Sequence, residues 1–125
     1  MLFRSKRHKP AIVIVELGAN DALRGLSLSS TEANLRSIVG DAQKAGAQVV
    51  LVGMRIPPNY GADYTAQFKG AFARVANKAG VPLLPFLLEN VGGKPELNQA
   101  DAIHPNEKGH AIVADTVFKF VKGYL

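Results

Sequence analysis

Three short apolar segments alternate with three longer amphipathic stretches along this 125-residue chain. The apolar segments are residues 11–17, 48–53 and 81–86. The first is β-branched and almost continuously apolar, which is typical of a strand buried on both faces. Strands that alternate with helices predict a parallel sheet with right-handed crossovers. The sequence therefore predicts an α/β fold, with 47% hydrophobic residues available for a core.

Local signals predict where the three helices begin and end. Ser29 and Glu32 have the spacing of a capping box, so the first helix should begin at Ser29 and end near Gly46. The second helix should end near Gly80, and Pro105 should be the first residue of the third. The buried face of the third helix is predicted to consist of Ile112, Val113, Val117, Phe120 and Val121.

The positive charge is concentrated at one end of the chain. The net charge is +5, and Arg4, Lys6, Arg7 and Lys9 carry four positive charges within residues 1–10. A nucleic-acid-binding protein is expected to spread Lys and Arg over a face of its fold. We therefore interpret residues 1–10 as a basic tail or junction, and expect no nucleic-acid partner.

Several other classes are disfavoured by composition. The chain has no cysteine, which excludes a disulfide framework and a thiolate metal site. The longest apolar run is far too short to span a membrane. Residues 1–10 lack the apolar region of a signal peptide, although a signal could precede a fragment, so the compartment stays open.

A candidate oxyanion site follows the first predicted strand. In a parallel α/β sheet, ligands bind beyond the carboxyl ends of the strands. Gly18 permits a sharp turn there, and the Asn20 amide could donate to a developing oxyanion, a contribution of about 3–4 kcal/mol in other enzymes. The alternative is a plain turn, which Asn and Asp favour. Asp21 is the weaker candidate, because it is better suited to bracing the loop.

A candidate acid–base pair lies just before the third predicted helix. Asp101 precedes His104 by three residues, a spacing that lets the carboxylate accept from the imidazole Nδ1 and leaves Nε2 free as a general base. The alternative is an ordinary loop acid and a histidine at a helix cap. His8 lies in the basic tail and His110 on the helix surface, and neither is given a role.

These two motifs together resemble the SGNH (GDSL-type) hydrolase family. That family has a Gly-x-Asn-Asp sequence after a strand and an Asp-x-x-His-Pro sequence before the last helix. Residues 55–61 (RIPPNYG) and 81–86 (VPLLPF) are similar to the branch of arylesterases, acyl-CoA thioesterase I and lysophospholipase-like enzymes. The resemblance implies a flavodoxin-like three-layer α/β/α fold with a parallel sheet. It also implies small acyl or aryl ester or thioester substrates, and no metal or organic cofactor.

The resemblance assigns roles to four residues. Asp101 is implied as the triad acid and His104 as the base, while Asn20 and Gly18 are implied in the oxyanion and substrate-binding site. The Gly-Asp-Ser block that carries the family's nucleophile has no match in this sequence, and nor does the second-block glycine. The available serines lack the strand-to-helix setting of a nucleophile, so the nucleophile is unknown: Ser5, Ser27, Ser29, Ser30 and Ser37.

We therefore expect an N-terminally truncated domain, in which residues 11–125 form the C-terminal two-thirds and the first strands are missing. The strand at residues 11–17 would become a sheet edge, which is a pairing template unless it is covered. A second copy in a homo-oligomer, or residues 1–8 folding back, could cover it. Two hypotheses remain: a serine ester hydrolase, or an inactive, self-associating fragment of one.

Overall fold

The computed structural model describes residues 7–19, Arg24, 27–56 and 60–125. Within these ranges, strands and helices alternate as predicted. The strands are β1 (Ile12–Val15), β2 (Gln48–Val52) and β3 (Leu83–Leu84). The helices are α1 (Leu28–Lys44), α2 (Ala62–Ala79) and α3 (Glu107–Val121). Single 3₁₀ turns cover Pro95–Leu97 and Lys122–Tyr124.

The chain divides into two compact units, Met1–Pro85 and Phe86–Leu125. The first unit holds the sheet with α1 and α2, and the second holds both 3₁₀ turns and α3.

β2 is the central strand of a parallel sheet in the first unit, with β1 on one side and β3 on the other. The register places Val15 of β1 opposite Leu51 of β2, and Leu51 opposite Leu83 of β3. Each connection between strands contains a helix, which is the connection that parallel neighbours require. The predicted parallel α/β class is therefore confirmed.

β1 is shorter and less buried than predicted. Only Ile12–Val15 is extended, and Ile14 and Leu17 are 44% and 41% exposed, so the expectation of a strand buried on both faces is wrong. Successive side chains of a strand point to opposite faces. Val13 and Val15 pack into the core, while Ile14 lies on the alternate face.

β3 is also shorter than the predicted segment 81–86. Pro82 and Pro85 flank its two residues, and neither can donate a hydrogen bond to the ladder. The Pro82 carbonyl still accepts from the Leu51 amide at 2.9 Å. Gly53 continues past β2, where an added Cβ would approach the Pro85 carbonyl oxygen to 2.5 Å, so the chain needs a glycine there.

α1 begins one residue before the predicted start. Ser27 is the N-cap, and its Oγ accepts from the Ser30 amide at 3.4 Å, so the predicted Ser29–Glu32 capping box is wrong. The Glu32 carboxylate instead accepts from Arg74 Nε on α2 at 2.7 Å. The Glu32 side chain, which the local pattern assigned to the helix cap, therefore binds a residue on another helix.

The core of the first unit lies between the sheet and the helices α1 and α2. Phe68 and Phe72 meet edge to face on α2, with ring centroids 5.2 Å apart. The end of α2 matches prediction, because Gly80 adopts the left-handed conformation at φ 68°. The remaining buried members of this core are Val15, Leu35, Val39, Ala42, Val49, Leu51, Ile56, Val75 and Ala76.

α3 in the second unit begins later than predicted. Its first residue is Glu107 and its N-cap is Asn106, so Pro105 precedes the helix instead of opening it. Asn106 Oδ1 accepts from the Gly109 amide at 3.0 Å. A Cβ at Gly109 would collide with the Leu97 carbonyl oxygen, which explains a glycine in the first turn.

The apolar stripe of α3 is not buried as predicted. Its five residues are only half-buried, and Gly109 is the one buried residue of the helix. Within its own unit α3 packs against the 3₁₀ turns, which are too short to cover the stripe. Phe118 is 61% exposed. Within the described residues, no helix is long and apolar enough to cross a membrane.

Candidate active site

Asp101 and His104 form a hydrogen-bonded pair in the second unit. The Asp101 Oδ2 and His104 Nδ1 atoms are 2.6 Å apart. The other carboxylate oxygen, Oδ1, accepts from the backbone amides of Ile103 and His104, each at 3.0 Å. Both oxygens are therefore engaged within the same short loop. The two side chains that the Asp-x-x-His spacing predicted to pair do meet.

These bonds hold Asp101 in its ionised form. The hydrogen bond from the His104 side chain, followed by those from the His104 and Ile103 amides, lowers the pKa of Asp101 from 3.8 to about 2. Because an ionised carboxylate can only accept, His104 Nδ1 must carry the proton of the shared bond. In the neutral imidazole, Nε2 is then the acceptor. The ring is 69% exposed on its side chain, so Nε2 is accessible.

The backbone between the two residues is strained. Ala102 has φ 60°, in the left-handed region that a non-glycine residue seldom occupies. Its amide donates to the Gln99 carbonyl at 2.9 Å, which closes a tight turn. The turn brings the Ile103 and His104 amides to the Asp101 carboxylate. The Asp101 geometry thus depends on a backbone conformation that costs free energy.

The predicted oxyanion residues belong to the first unit. Gly18 follows β1 with φ 106°, which favours glycine, and an added Cβ would lie 3.3 Å from Thr31 Cγ2. The positive φ therefore favours glycine here, and a larger residue would also crowd Thr31. Asn20 and Asp21 lie outside the described residues. The roles of Gly18 and Asn20 remain predictions.

Three amide side chains around the Asp101–His104 loop were missed by the sequence analysis. Asn98 is buried, Gln99 donates to the Pro105 carbonyl at 3.1 Å, and Asn106 donates to the Glu96 carbonyl at 2.9 Å. Asn106 carried a usable signal, because Asn before an amphipathic stretch is a preferred N-cap. Asn98 and Gln99 carried none, since their partners are carbonyl groups that a sequence does not locate.

The described serines have structural settings at the start and on the surface of α1. Ser27 caps the helix and its Oγ lies 2.8 Å from Ser29 Oγ. Ser30 and Ser37 are exposed helical residues. No hydrogen bond joins a histidine to these four serines, and Ser5 lies outside the described ranges. Over the same ranges, no group of three or more His, Asp or Glu side chains could hold a metal ion.

Asp–His pairs that serve a nucleophile recur in hydrolases of several unrelated folds. The GDSL-like Lipase/Acylhydrolase family matches residues 2–112 of this sequence. The chain belongs to that family. The resemblance found from the Gly-x-Asn-Asp and Asp-x-x-His-Pro motifs is thereby confirmed.

Named relatives agree with this assignment. The chain is 43% identical over 114 residues to thioesterase 1/protease 1/lysophospholipase L1 of Escherichia coli K12, a match that covers 91% of this chain and 55% of that protein. The crystal structure of TesA superposes with a TM-score of 0.94 at 38% identity, covering 98% of this chain and 68% of that one.

A second solved structure gives the same fold. The psychrotrophic esterase EstA from Pseudoalteromonas sp., inhibited by monoethylphosphonate, has a TM-score of 0.92 at 33% identity, covering 98% of this chain and 69% of that one. The chain spans about half the length of the curated relatives it matches, as with the 55% for the Escherichia coli protein.

Proposed function

We propose that this chain carries the acid, the base and the oxyanion asparagine of an SGNH-type carboxylic ester or thioester hydrolase. The observation that supports this is the 2.6 Å contact between Asp101 Oδ2 and His104 Nδ1, made by a His104 side chain that is 69% exposed. Family membership and relatives named esterase or thioesterase agree with it. The substrates we propose are small acyl or aryl esters or thioesters.

The first half of the proposed reaction forms an acyl-enzyme. His104 Nε2 removes the proton of a serine hydroxyl as its oxygen attacks the carbonyl carbon of the ester. Asn20 donates to the oxyanion of the tetrahedral intermediate, and Asp101 stabilises the imidazolium that forms. The intermediate collapses as the carbon–oxygen or carbon–sulfur bond breaks. His104 then returns the proton to the departing alcohol or thiol.

The second half releases the acid. His104 Nε2 takes a proton from water as the water oxygen attacks the acyl carbon. The second tetrahedral intermediate collapses, the serine oxygen recovers its proton from His104, and the carboxylic acid leaves. Throughout the cycle Asp101 stays ionised and keeps the ring in one orientation, which a pKa of about 2 allows at neutral pH.

We further propose that the serine of this reaction is not among the five in this sequence. The described serines cap α1 or lie on its exposed surface, and none is hydrogen-bonded to a histidine. The 125-residue chain by itself should therefore hydrolyse p-nitrophenyl acetate or butyrate no faster than its His104→Ala variant. A fluorophosphonate label recovered on any of the five serines would contradict this.

A chimera tests the roles of the residues directly. The N-terminal portion of the Escherichia coli relative, as far as the strand that matches β1, would be joined to residues 11–125 of this chain. Hydrolysis of p-nitrophenyl butyrate should fall by about 10⁴-fold or more with His104→Ala and by about 10²–10³-fold with Asn20→Ala.

His110→Ala is the matched control for the chimera, because His110 is an exposed histidine of α3. It should leave the rate unchanged. An active chimera that is indifferent to His104→Ala would refute the proposed acid–base role. An active chimera that is indifferent only to Asn20→Ala would remove the oxyanion role alone.

The alternative function is an inactive fragment that self-associates through the strand at residues 11–17. The Gln48 amide donates to the Ala11 carbonyl. In the alternating pattern of a parallel ladder, the backbone N–H and C=O groups of Val13 and Val15 therefore point toward β2. The backbone groups of Ile12 and Ile14 consequently face the open side of β1. Within the described part of the chain, β1 has a strand neighbour on one side only.

Sedimentation velocity tests this alternative. Ile14→Lys places a charge on the exposed side chain of the edge and should shift a homo-oligomer toward the monomer. Leu125→Lys, at a residue that is 82% exposed outside the sheet, is the control and should leave the oligomer intact. A chain that is monomeric without any substitution, with fast-exchanging amides at Ile12 and Ile14, would remove the alternative.

A further inference from the structure

The loop that carries Asp101 and His104 is closed by amide groups at its base. Asn98 and Pro105 form an antiparallel bridge. At the next residue on each side of the loop, the Gln99 amide donates to the His104 carbonyl at 2.8 Å. The loop is therefore a closed turn, with the acid–base pair at its exposed end.

Gln99 holds this turn at three points. Its backbone amide binds the His104 carbonyl, and its backbone carbonyl accepts from the Ala102 amide at 2.9 Å. Its side-chain Nε2 donates to the Pro105 carbonyl at 3.1 Å. The side-chain bond ties the carbonyl of Pro105, the residue after His104, to the residue that also holds the strained Ala102. Gln99 thus contacts the chain on both sides of the Asp101–His104 pair.

Asn98 sets the position of Gln99. It is only 8% exposed, and its Nδ2 donates to the Val91 carbonyl at 2.9 Å and to the Lys94 carbonyl at 2.8 Å. Both amide protons are thereby used on the preceding turn. A buried side chain with both donors satisfied has one orientation, because any rotation would leave a buried polar group without a partner.

We propose that Gln99 is a positioning residue for His104, and that its side-chain bond to the Pro105 carbonyl selects the Nδ1–H tautomer by holding the ring against Asp101. The side chains of His104 and Asp101 are 69% and 42% exposed, so no surrounding core holds them in place. Their alignment must come from the backbone that carries them. The inference rests on the proposed acid–base role of the pair and names a residue that acts through His104 without touching substrate.

The tautomer of the neutral His104 ring can be read by ¹⁵N NMR of the unaltered chain. Gln99→Met keeps the length of the side chain and removes the donor. It should lower the ratio of the Nδ1–H to the Nε2–H form by roughly five-fold, the effect expected of one hydrogen bond. Gln99→Lys, which restores a donor of similar reach, should recover most of the original ratio.

Gln43→Met is the matched control. Gln43 Nε2 donates to the Ala79 carbonyl at 2.9 Å in the first unit, so the substitution removes the same type of bond elsewhere. The His104 tautomer ratio should not change with it. An equal loss of global stability in both variants, with a tautomer change in Gln99→Met alone, separates positioning from general destabilisation.

The possible results distinguish the two proposals. An unaltered chain in which His104 is mainly Nε2–H would overturn both the acid–base pair and the role of Gln99. An Nδ1–H form that persists in Gln99→Met would overturn only the role of Gln99. Gln99→Glu, which also lacks a donor, gives the same comparison if the Met variant fails to fold.

Discussion

The two units of this molecule are held by different forces. The first has a continuous apolar core in which Phe68, Phe72, Leu35 and Leu51 are almost completely buried. In the second, the apolar stripe of α3 is half-exposed, and the loop before it is held by amide side chains bonded to backbone carbonyls. Burial is non-directional, whereas hydrogen bonds have strict geometry. The Asp101–His104 pair therefore lies where directional bonds decide atomic positions.

The largest effect should come from the core of the first unit. Phe72→Ala removes a buried ring and its edge-to-face contact with Phe68, and should lower the free energy of unfolding by about 3–5 kcal/mol in urea. Phe118→Ala makes the same change on a side chain that is 61% exposed. It should change the free energy by less than about 0.5 kcal/mol. Similar losses in the two variants would show that α3 is covered in solution.

A smaller effect is expected from the buried amide of the second unit. Asn98→Ala deletes two hydrogen bonds to carbonyl oxygens, and should cost about 2 kcal/mol at about 1 kcal/mol each. Hydrogen exchange at the Gln99 and Ala102 amides should accelerate with it. Asn34→Ala, on the exposed side of α1, is the control and should be neutral or slightly stabilising. An Asn98→Ala chain of unchanged stability would mean that this loop does not depend on its amides.

A stabilising change should come from the strained residue of the loop. Ala102→Gly removes the steric cost of φ 60° and should raise the free energy of unfolding by about 0.5–1 kcal/mol. Ala114→Gly, at an exposed position inside α3, should instead lower it by about 1 kcal/mol. Thermal unfolding of the two variants gives opposite signs if the left-handed conformation persists in solution. Loss of stability in both would contradict that conformation.

The smallest effect is the pH dependence of the Asp101 carboxylate. Its pKa in the folded chain is about 2, below the ordinary 3.8, so the ionised form is the one that the fold favours. Its contribution to stability is present above pH 3.8 and is lost as the pH falls through about 2. The ¹³C shift of its carboxyl carbon should titrate with a midpoint near 2. A midpoint at 3.8 would mean that the bonds from His104 and Ile103 are not kept in solution.

Local patterns in the sequence were enough to predict the order of elements, the parallel sheet and the Asp101–His104 contact. The contact could be predicted because both residues lie in one short loop, where a spacing of three residues nearly determines which side chains can be in contact. The prediction of a Ser29–Glu32 capping box was wrong because Glu32 binds Arg74, forty-two residues away in the chain. The prediction of a buried stripe on α3 was wrong because amphipathic spacing shows which face of a helix could be buried, but not whether another element covers that face.

By itself, the sequence determined the α/β class through its periodicity and the Asp101–His104 contact through short spacing, while the resemblance of its motifs identified the family and the candidate acid and base. Only the tertiary structure showed that β1 is exposed at Ile14 and that Asn98 and Gln99 hold the loop of the pair. Those features depend on carbonyl groups and neighbouring elements brought close by folding. A hydrogen bond of 2.9 Å requires a donor and an acceptor close together, and the sequence shows the amide side chain but not which carbonyl group it will bind.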